Sequence, residues 1–76
     1  MRIKLKMPML AMGMTEGVLA EWLVEDGTGV TEGMAIYSVE NDKSTVEVPS
    51  PAAGTLRIIA KPGGTYQVGE IIAVLE

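Results

Sequence analysis

Lys43 is the residue of this 76-residue chain whose type and setting could support chemistry. Asp42 and Ser44 flank it, and acidic Glu40 and Glu47 lie a few residues away on either side. Short polar side chains such as these stabilise chain reversals because they bond to their own backbone. A lysine at the tip of a reversal would hold its amine clear of the body, where a lysine-modifying enzyme could reach it. Taken alone, Lys43 would be interpreted as an ordinary solvated turn lysine, since most surface lysines have no special role.

The segments on both sides of Lys43 predict a β-hairpin. Ala35 to Glu40 and Thr45 to Val48 mix β-branched and polar residues in the manner of half-buried strands. Similar short runs predict further strands at 3–7, 18–24, 55–60 and 71–75, and no window carries a convincing helical period. Many short strands separated by turn signals indicate an all-β fold, a small sandwich or flattened barrel.

The chain also contains an internal repeat, because Gly17 to Glu40 aligns with Gly54 to Glu76 when one residue is skipped in the turn. The alignment pairs three sets of glycines: Gly17 with Gly54, Gly27 with Gly64, and Gly33 with Gly69. Aligned glycines mark places where the backbone needs positive φ or a close approach. The repeat therefore predicts a pseudo-two-fold axis, with Lys43 at the opposite end of the domain from the chain termini.

Composition narrows the function classes. There is no cysteine or histidine, so neither a disulfide nor a histidine-based zinc site is available. The formal net charge of −4 disfavours nucleic-acid binding, and no apolar run approaches the roughly 20 residues of a membrane span. We expect residues 1–76 to form one domain stabilised by sheet packing. With no secretory signal at the N-terminus, a cytoplasmic location, or the mitochondrial matrix in a eukaryote, is expected.

A methionine-rich segment precedes the first copy of the repeat. Residues 8–16 lead into Gly17, whereas only the shorter segment 49–53 leads into Gly54. A long loop in one copy is a candidate functional insertion. Its methionines could pack over the end of the sandwich or form an adaptable binding surface, because the thioether side chain is flexible. Trp22, the single tryptophan, is predicted to be a packing anchor.

These features resemble the lipoyl domain of the acyltransferase component of 2-oxo acid dehydrogenase complexes. Glu40 to Ser44 matches that family's acidic-x-Asp-Lys-Ala/Ser hairpin, and Met14 to Gly17 followed by Trp22 to Val24 matches as well. The resemblance runs from about Ile3 to the end of the chain and includes the glycine spacing. It implies a flattened sandwich of two four-stranded antiparallel sheets, the barrel-sandwich hybrid.

The resemblance also implies a function. Lys43 would carry lipoic acid in amide linkage as a swinging arm for acyl groups and electrons. The arm would serve a thiamine-diphosphate-dependent 2-oxo acid decarboxylase, an acyltransferase and dihydrolipoamide dehydrogenase. A lipoate ligase would recognise the lysine through Asp42, Ser44 and Glu40. The loop side chains that would contact the decarboxylase are Met9, Leu10, Met12 and Met14.

By the same resemblance the domain would be a non-catalytic carrier, monomeric in isolation. Its Met-Thr-Glu-Gly and Trp-Leu-Val segments favour a pyruvate- or acetoin-type complex.

Two other functions stay open. A biotin carrier shares the fold, but that family places its lysine between methionines, whereas Asp42 and Ser44 flank Lys43 here. An unmodified lipoyl-like module, serving as a structural or interaction domain, would not need a lysine at the hairpin tip. An independent enzyme is disfavoured, because neither a glycine-rich phosphate loop nor a carboxylate pair tied to a pocket is recognisable.

Overall fold

The computed structural model describes residues 2–10, 12–40 and 44–76. These residues form β-strands and loops, and no helix long and apolar enough to cross a membrane is found among them. The strands within these ranges are β1 (Ile3–Lys6), β2 (Glu16–Trp22), β3 (Gly29–Val30), β4 (Ala35–Glu40), β5 (Thr45–Pro49), β6 (Gly54–Ile58), β7 (Thr65–Gln67) and β8 (Ile71–Leu75).

The strands form two four-stranded antiparallel sheets. One has the order β1-β8-β6-β3 and the other the order β5-β4-β2-β7. Exchanging β1 with β5, β2 with β6, β3 with β7 and β4 with β8 converts the first order into the second. The predicted fold class and its pseudo-two-fold symmetry are thereby confirmed, and the symmetry operation exchanges the two sheets.

The pairing register obeys the same symmetry. Leu19 pairs with Val39 in one sheet, and the equivalent Leu56 pairs with Leu75 in the other. The outermost pairs of strands share an irregularity, since the register skips Ile72 where β1 meets β8 and skips Ile36 where β5 meets β4. A bulge of this kind leaves one residue without a ladder partner and increases the local twist. The repeat in sequence therefore extends to the local defects of the sheets.

The core lies between the sheets and is built largely from symmetry-related residues. Three equivalent pairs are almost wholly buried: Leu19 with Leu56, Ile36 with Ile72, and Val39 with Leu75. Met7, in the loop after β1, and Tyr37, on β4, belong to the same cluster. The symmetry does not relate these two positions to each other. Burying a large aliphatic side chain contributes about 1.5–3 kcal/mol, so these pairs supply much of the stability of a chain that has no disulfide.

Two strands, β3 and β7, were not predicted from the sequence. Both are short edge strands, too short for an alternating pattern to be recognised. Pairing with β7 also explains why β2 starts at Glu16 rather than at Val18, because Glu16 lies opposite Gln67. At the other boundary, β6 ends at Ile58 and not at Ala60, because the N–H groups of residues 59 and 60 both point to the carbonyl of Ile72.

The predicted equivalence of Gly27 with Gly64 is wrong, and Gly63 is the structural counterpart. The N–H of Gly27 donates to the carbonyl of Leu56 at 2.7 Å, and the N–H of Gly63 donates to the carbonyl of Leu19 at 2.6 Å. Gly27 and Gly63 also share positive φ, +85° and +87°. The extra residue of the first copy therefore lies before its turn glycine rather than after it.

Candidate functional site

The hairpin predicted around Lys43 is formed by β4 and β5. Glu40 and Thr45 are the last pair of its ladder, and both are exposed. The chain therefore reverses direction between Glu40 and Thr45. Asn41, Asp42 and Lys43 lie outside the described residues, so the predicted distance between Lys43 and the termini stays a prediction.

The base of this hairpin is anchored in the core. Val39 pairs with Val46 on β5 and with Leu19 on β2, and its side chain is fully buried. A connection that starts one residue after a buried core position is held at its root, and its described ends, Glu40 and Ser44, are exposed. The strands that the sequence predicted on both sides of the turn are present, and the presentation of Lys43 at its tip stays a prediction.

The described residues of the hairpin carry two charged side chains, and both are carboxylates. Glu40 and Glu47 are exposed on β4 and β5. Among the described residues, no three His, Cys, Asp or Glu side chains converge closely enough to hold a metal ion. The surroundings of the hairpin can therefore attract a cationic group, while the described side chains offer no cluster for binding a metal.

The structure divides the four predicted partner-contact residues into two kinds. Met9 is 64% exposed and Met12 is fully exposed. Leu10 and Met14 are half-buried and pack against the core cluster, and the N–H of Leu10 donates to the Met14 sulfur at 3.4 Å. Of the two alternatives left open for the methionines, packing is confirmed for Met14, while Met9 and Met12 face solvent and a binding role for them stays a prediction.

Gly17 makes room for this loop. A Cβ at Gly17 would lie 2.5 Å from Met14 Cε, 3.1 Å from Val39 Cγ1 and 3.3 Å from Met7 Sδ. Real Cβ atoms do not approach neighbours to 2.5 Å, so any other residue at this position would displace Met14. The close approach expected from the repeat is therefore confirmed at Gly17, and it links the methionine-rich loop to the base of the hairpin through Val39.

Trp22 is the packing anchor that the sequence predicted. Its ring lies against Tyr37 with the centroids 5.2 Å apart and the planes tilted by 56°. Tyr37 is itself buried in the core, and burial raises the pKa of its phenol to about 12. Tyr37 was not singled out from the sequence, because a tyrosine in a short strand has no signature that separates a buried ring from an exposed one.

Ser38 is a second residue that sequence reasoning missed. It is 3% exposed, and its Oγ has no hydrogen-bond partner among the described residues. The sequence does not reveal that this serine is buried and unpaired, since polar residues commonly alternate with apolar ones along a strand. Its position becomes informative only through its neighbours on adjacent strands.

A groove of ≈ 380 Å³ runs between the edge strands β1 and β5. Its lining includes Lys4, Lys6, Val48 and Pro49 but no carboxylate. The groove thus provides no carboxylate, and neither Glu40 nor Thr45 lines it.

Comparison with known proteins gives a consistent result over almost the whole chain. A family model described as biotin-requiring enzyme, covering biotin and lipoyl attachment, matches residues 3–75. A dihydrolipoyllysine-residue succinyltransferase component of the 2-oxoglutarate dehydrogenase complex from Staphylococcus saprophyticus is 47% identical over 73 residues, which are 95% of this chain and 17% of that protein.

An acetyltransferase component of the pyruvate dehydrogenase complex from Rickettsia bellii is 46% identical over 77 residues, covering 99% of this chain and 18% of the relative. The chain thus spans less than a fifth of these relatives. The solution structure of the lipoyl domain of the 2-oxoglutarate dehydrogenase complex from Azotobacter vinelandii superposes with a TM-score of 0.80 at 29% identity. That match covers 97% of this chain and 95% of the other.

Proposed function

The chain belongs to the biotin- and lipoyl-attachment family as a lipoyl domain, and from this membership we propose that Lys43 carries lipoic acid in amide linkage. The domain then serves as the swinging-arm carrier of a 2-oxo acid dehydrogenase acyltransferase, while acyl transfer is catalysed elsewhere in that protein. The observation that carries the proposal is the match to a lipoyl domain over 97% of this chain, which includes the β4–β5 hairpin that spans Lys43.

The amine of a lysine side chain is the group that attachment of lipoic acid requires. Attachment needs one accessible primary amine, which condenses with the lipoate carboxyl group and loses its positive charge. Glu40 and Thr45 bound the connection that contains Lys43, and both are exposed, so the chain enters and leaves this connection at the surface. When bound, the lipoyl group supplies a strained disulfide that accepts two electrons and an acyl group.

The protein's own residues present, anchor and identify the lysine. Val39 holds the root of the hairpin in the core. We propose that Glu40, Asp42 and Ser44 form the signal that a lipoate ligase reads, since carboxylates beside the amine offer acceptors that a ligase could bind. The exposed Met9 and Met12 are proposed to contact the decarboxylase, with Leu10 and Met14 holding the loop against the core.

The wider assembly is also a proposal. The partners are a thiamine-diphosphate-dependent 2-oxo acid decarboxylase, dihydrolipoamide dehydrogenase and lipoate ligase, in the cytoplasm or the mitochondrial matrix. The relatives include both succinyltransferase and acetyltransferase components, so their names do not separate the complex types. A pyruvate- or acetoin-type complex is proposed on the Met14 to Gly17 and Trp22 to Val24 segments.

Intact-mass measurement tests the attachment directly. The domain is incubated with lipoate ligase, ATP and lipoate, and separately with biotin ligase, ATP and biotin. A gain of one lipoyl group that disappears in Lys43→Arg and persists in Lys61→Arg supports the proposal, because Lys61 is an exposed lysine in a different turn. No gain with lipoate contradicts it.

A biotin carrier is the second candidate, because the matching family model covers both kinds of attachment. The polar neighbours Asp42 and Ser44 argue for lipoate, since the biotin family places methionines at these positions. A biotin increment in the same experiment would establish the second candidate. A chain that accepts neither cofactor would be an unmodified interaction module.

A further inference from the structure

The two sheets carry opposite charge although their backbones are symmetrical. The strands of the β5-β4-β2-β7 sheet contain four glutamates and no lysine or arginine. The strands of the β1-β8-β6-β3 sheet contain Lys4, Lys6 and Arg57 and no acidic residue. All of these charged side chains are exposed. We call the first the acidic sheet and the second the basic sheet.

One row of the acidic sheet combines two carboxylates with the unpaired hydroxyl. Ser38 on β4 lies directly opposite Glu21 on β2 and directly opposite Glu47 on β5. Residues directly opposite one another in neighbouring strands project from the same face. Glu21 and Glu47 are exposed, so this face is the outer one, and adjacent strands are about 4.8 Å apart. Ser38 therefore lies between Glu21 and Glu47, whose positions in the sheet are about 10 Å apart.

The symmetry-related row shows that folding does not require a serine here. On the basic sheet Val74 occupies the equivalent position, opposite Lys4 on one side and Arg57 on the other. Val74 is 6% exposed, close to the value for Ser38. Valine has nearly the same shape as serine plus one methyl group and leaves no hydroxyl unpaired. An unpaired hydroxyl beneath two carboxylates is a cost to folding, which a ligand that donates hydrogen bonds would remove.

We propose that the Glu21–Ser38–Glu47 row is a docking site for a lysine or arginine side chain on the basic surface of a partner protein. The row offers acceptors and negative charge, while ammonium and guanidinium groups offer several donors and positive charge. A metal ion is a poorer match, since no three acidic or nitrogen ligands converge among the described residues.

A second copy of this chain is also a poorer match than a separate basic partner. In the symmetry-related row of the basic sheet, Arg57 has its Nε 3.6 Å from Glu76 Oε1 and is partly neutralised. The formal net charge of −4 also makes two copies repel each other.

The row lies next to the hairpin described above. Ser38 is two residues before Glu40, and Glu47 is two residues after Thr45, so the row and the closing pair are about 7 Å apart along the strands. A basic partner seated on the row would be oriented over the Lys43 end of this sheet. The docking site does not depend on the proposed function, because none of its groups requires Lys43 to be modified.

Peptide titration of the unmodified, isotope-labelled domain tests the site. Hexalysine and hexaarginine are the probes, and amide chemical shifts are followed by NMR at low and high salt. We expect shifts centred on Glu21, Ser38 and Glu47 and weakened by salt, with little change at Lys4, Val74 and Arg57. Shifts spread equally over both sheets would overturn the proposal, as would a response to Mg²⁺ without a response to peptide, or dilution-dependent shifts of the row that point to a second copy.

Variants that lose the same charge at different places distinguish binding at the row from general electrostatic attraction. Glu21→Gln/Glu47→Gln should weaken peptide binding about tenfold, because both flanking charges are lost. Glu25→Gln/Glu32→Gln removes the same charge from exposed turn positions and should change binding less than about twofold. Equal weakening by the two pairs would contradict a specific site.

Ser38→Val distinguishes a serine that binds the peptide from a serine that only supports the fold. The variant copies the basic sheet and removes the unpaired hydroxyl, so its denaturation midpoint should equal or exceed that of the wild type. Peptide binding should nevertheless weaken about threefold, since one acceptor is lost. Ser38→Ala gives the same comparison without added bulk. Wild-type binding by both variants would show that the hydroxyl takes no part.

Discussion

Trp22 joins the two sheets through Ala60. The indole Nε1 of Trp22, on β2, donates a hydrogen bond of 3.0 Å to the carbonyl oxygen of Ala60, which follows β6 in the other sheet. The symmetry-related position has no such bond, because Ile58, which pairs with Ala73 as Trp22 pairs with Tyr37, has no side-chain donor. One large side chain therefore closes one flank of a sandwich whose backbone is otherwise symmetrical.

Replacement of Trp22 separates its bond from its packing. Trp22→Phe keeps an aromatic ring against Tyr37 but loses the bond to Ala60, and should lower the free energy of unfolding by about 1 kcal/mol. Trp22→Ala also leaves a cavity and should cost about 3 kcal/mol. Urea unfolding followed by circular dichroism measures both, since the variants have no tryptophan fluorescence. Equal losses in the two variants would mean that the hydrogen bond dominates.

Gly17 and Met14 should be energetically coupled. Gly17→Ala places a Cβ 2.5 Å from Met14 Cε and should cost about 1–3 kcal/mol, the usual penalty for overpacking. In a Met14→Ala background the same change should cost less, with a remaining strain from the 3.1 Å approach to Val39. A double-mutant cycle on unfolding free energies measures the coupling. Additive effects would show that Met14 does not occupy this space.

Gly33→Ala is the control for that cycle. Gly33 has φ of +86°, and a Cβ there would meet nothing within 4 Å. Its penalty of about 1–2 kcal/mol comes from the left-handed backbone and should be unaffected by Met14→Ala.

Tyr37 should make the domain sensitive to alkali. Burial raises the pKa of its phenol from 10.0 to about 12, so the folded chain keeps the proton where the unfolded chain loses it. This contribution is complete below pH 10 and is lost between pH 10 and about 12, by up to about 3 kcal/mol. The unfolding free energy of the wild type should fall in this window more than that of Tyr37→Phe.

A spectroscopic titration checks the same assignment. In Tyr66→Phe the phenol of Tyr37 is the one that remains, and its ultraviolet difference spectrum should titrate near pH 12. Titration near pH 10 in the folded protein would show that the ring is not desolvated.

Substitutions at two methionines of the loop should affect partner binding and stability differently. Met12→Gln alters a fully exposed side chain and should leave unfolding unchanged within about 0.5 kcal/mol, while reducing acylation of the lipoylated domain by the decarboxylase. Met14→Gln places an amide against the core and should lower stability by about 1–3 kcal/mol. Rates of acylation and urea midpoints distinguish the two. Undiminished acylation of Met12→Gln would remove this residue from the proposed contact.

Sequence patterns predicted the longer strands well and the short ones poorly. The bounds expected for β4 and β8 agree with the structure, because each is a continuous run of β-forming residues. β3 and β7 were missed, since Gly29–Val30 and Thr65–Gln67 are strands only because β6 and β2 lie beside them. The glycine alignment was right for Gly33 with Gly69 and wrong for Gly27, whose partner depends on which N–H reaches which carbonyl.

The amino-acid order by itself determined the repeat, the all-β class, the two strands on either side of Lys43 and the absence of cysteine and histidine. These depend on local preferences and on residue types, which a linear chain displays. Only the tertiary structure decided that Met14 packs while Met12 is exposed, that Trp22 bonds to Ala60, and that Ser38 lies unpaired between Glu21 and Glu47. Each of these depends on residues far apart in sequence that meet only after the sheets have paired and packed.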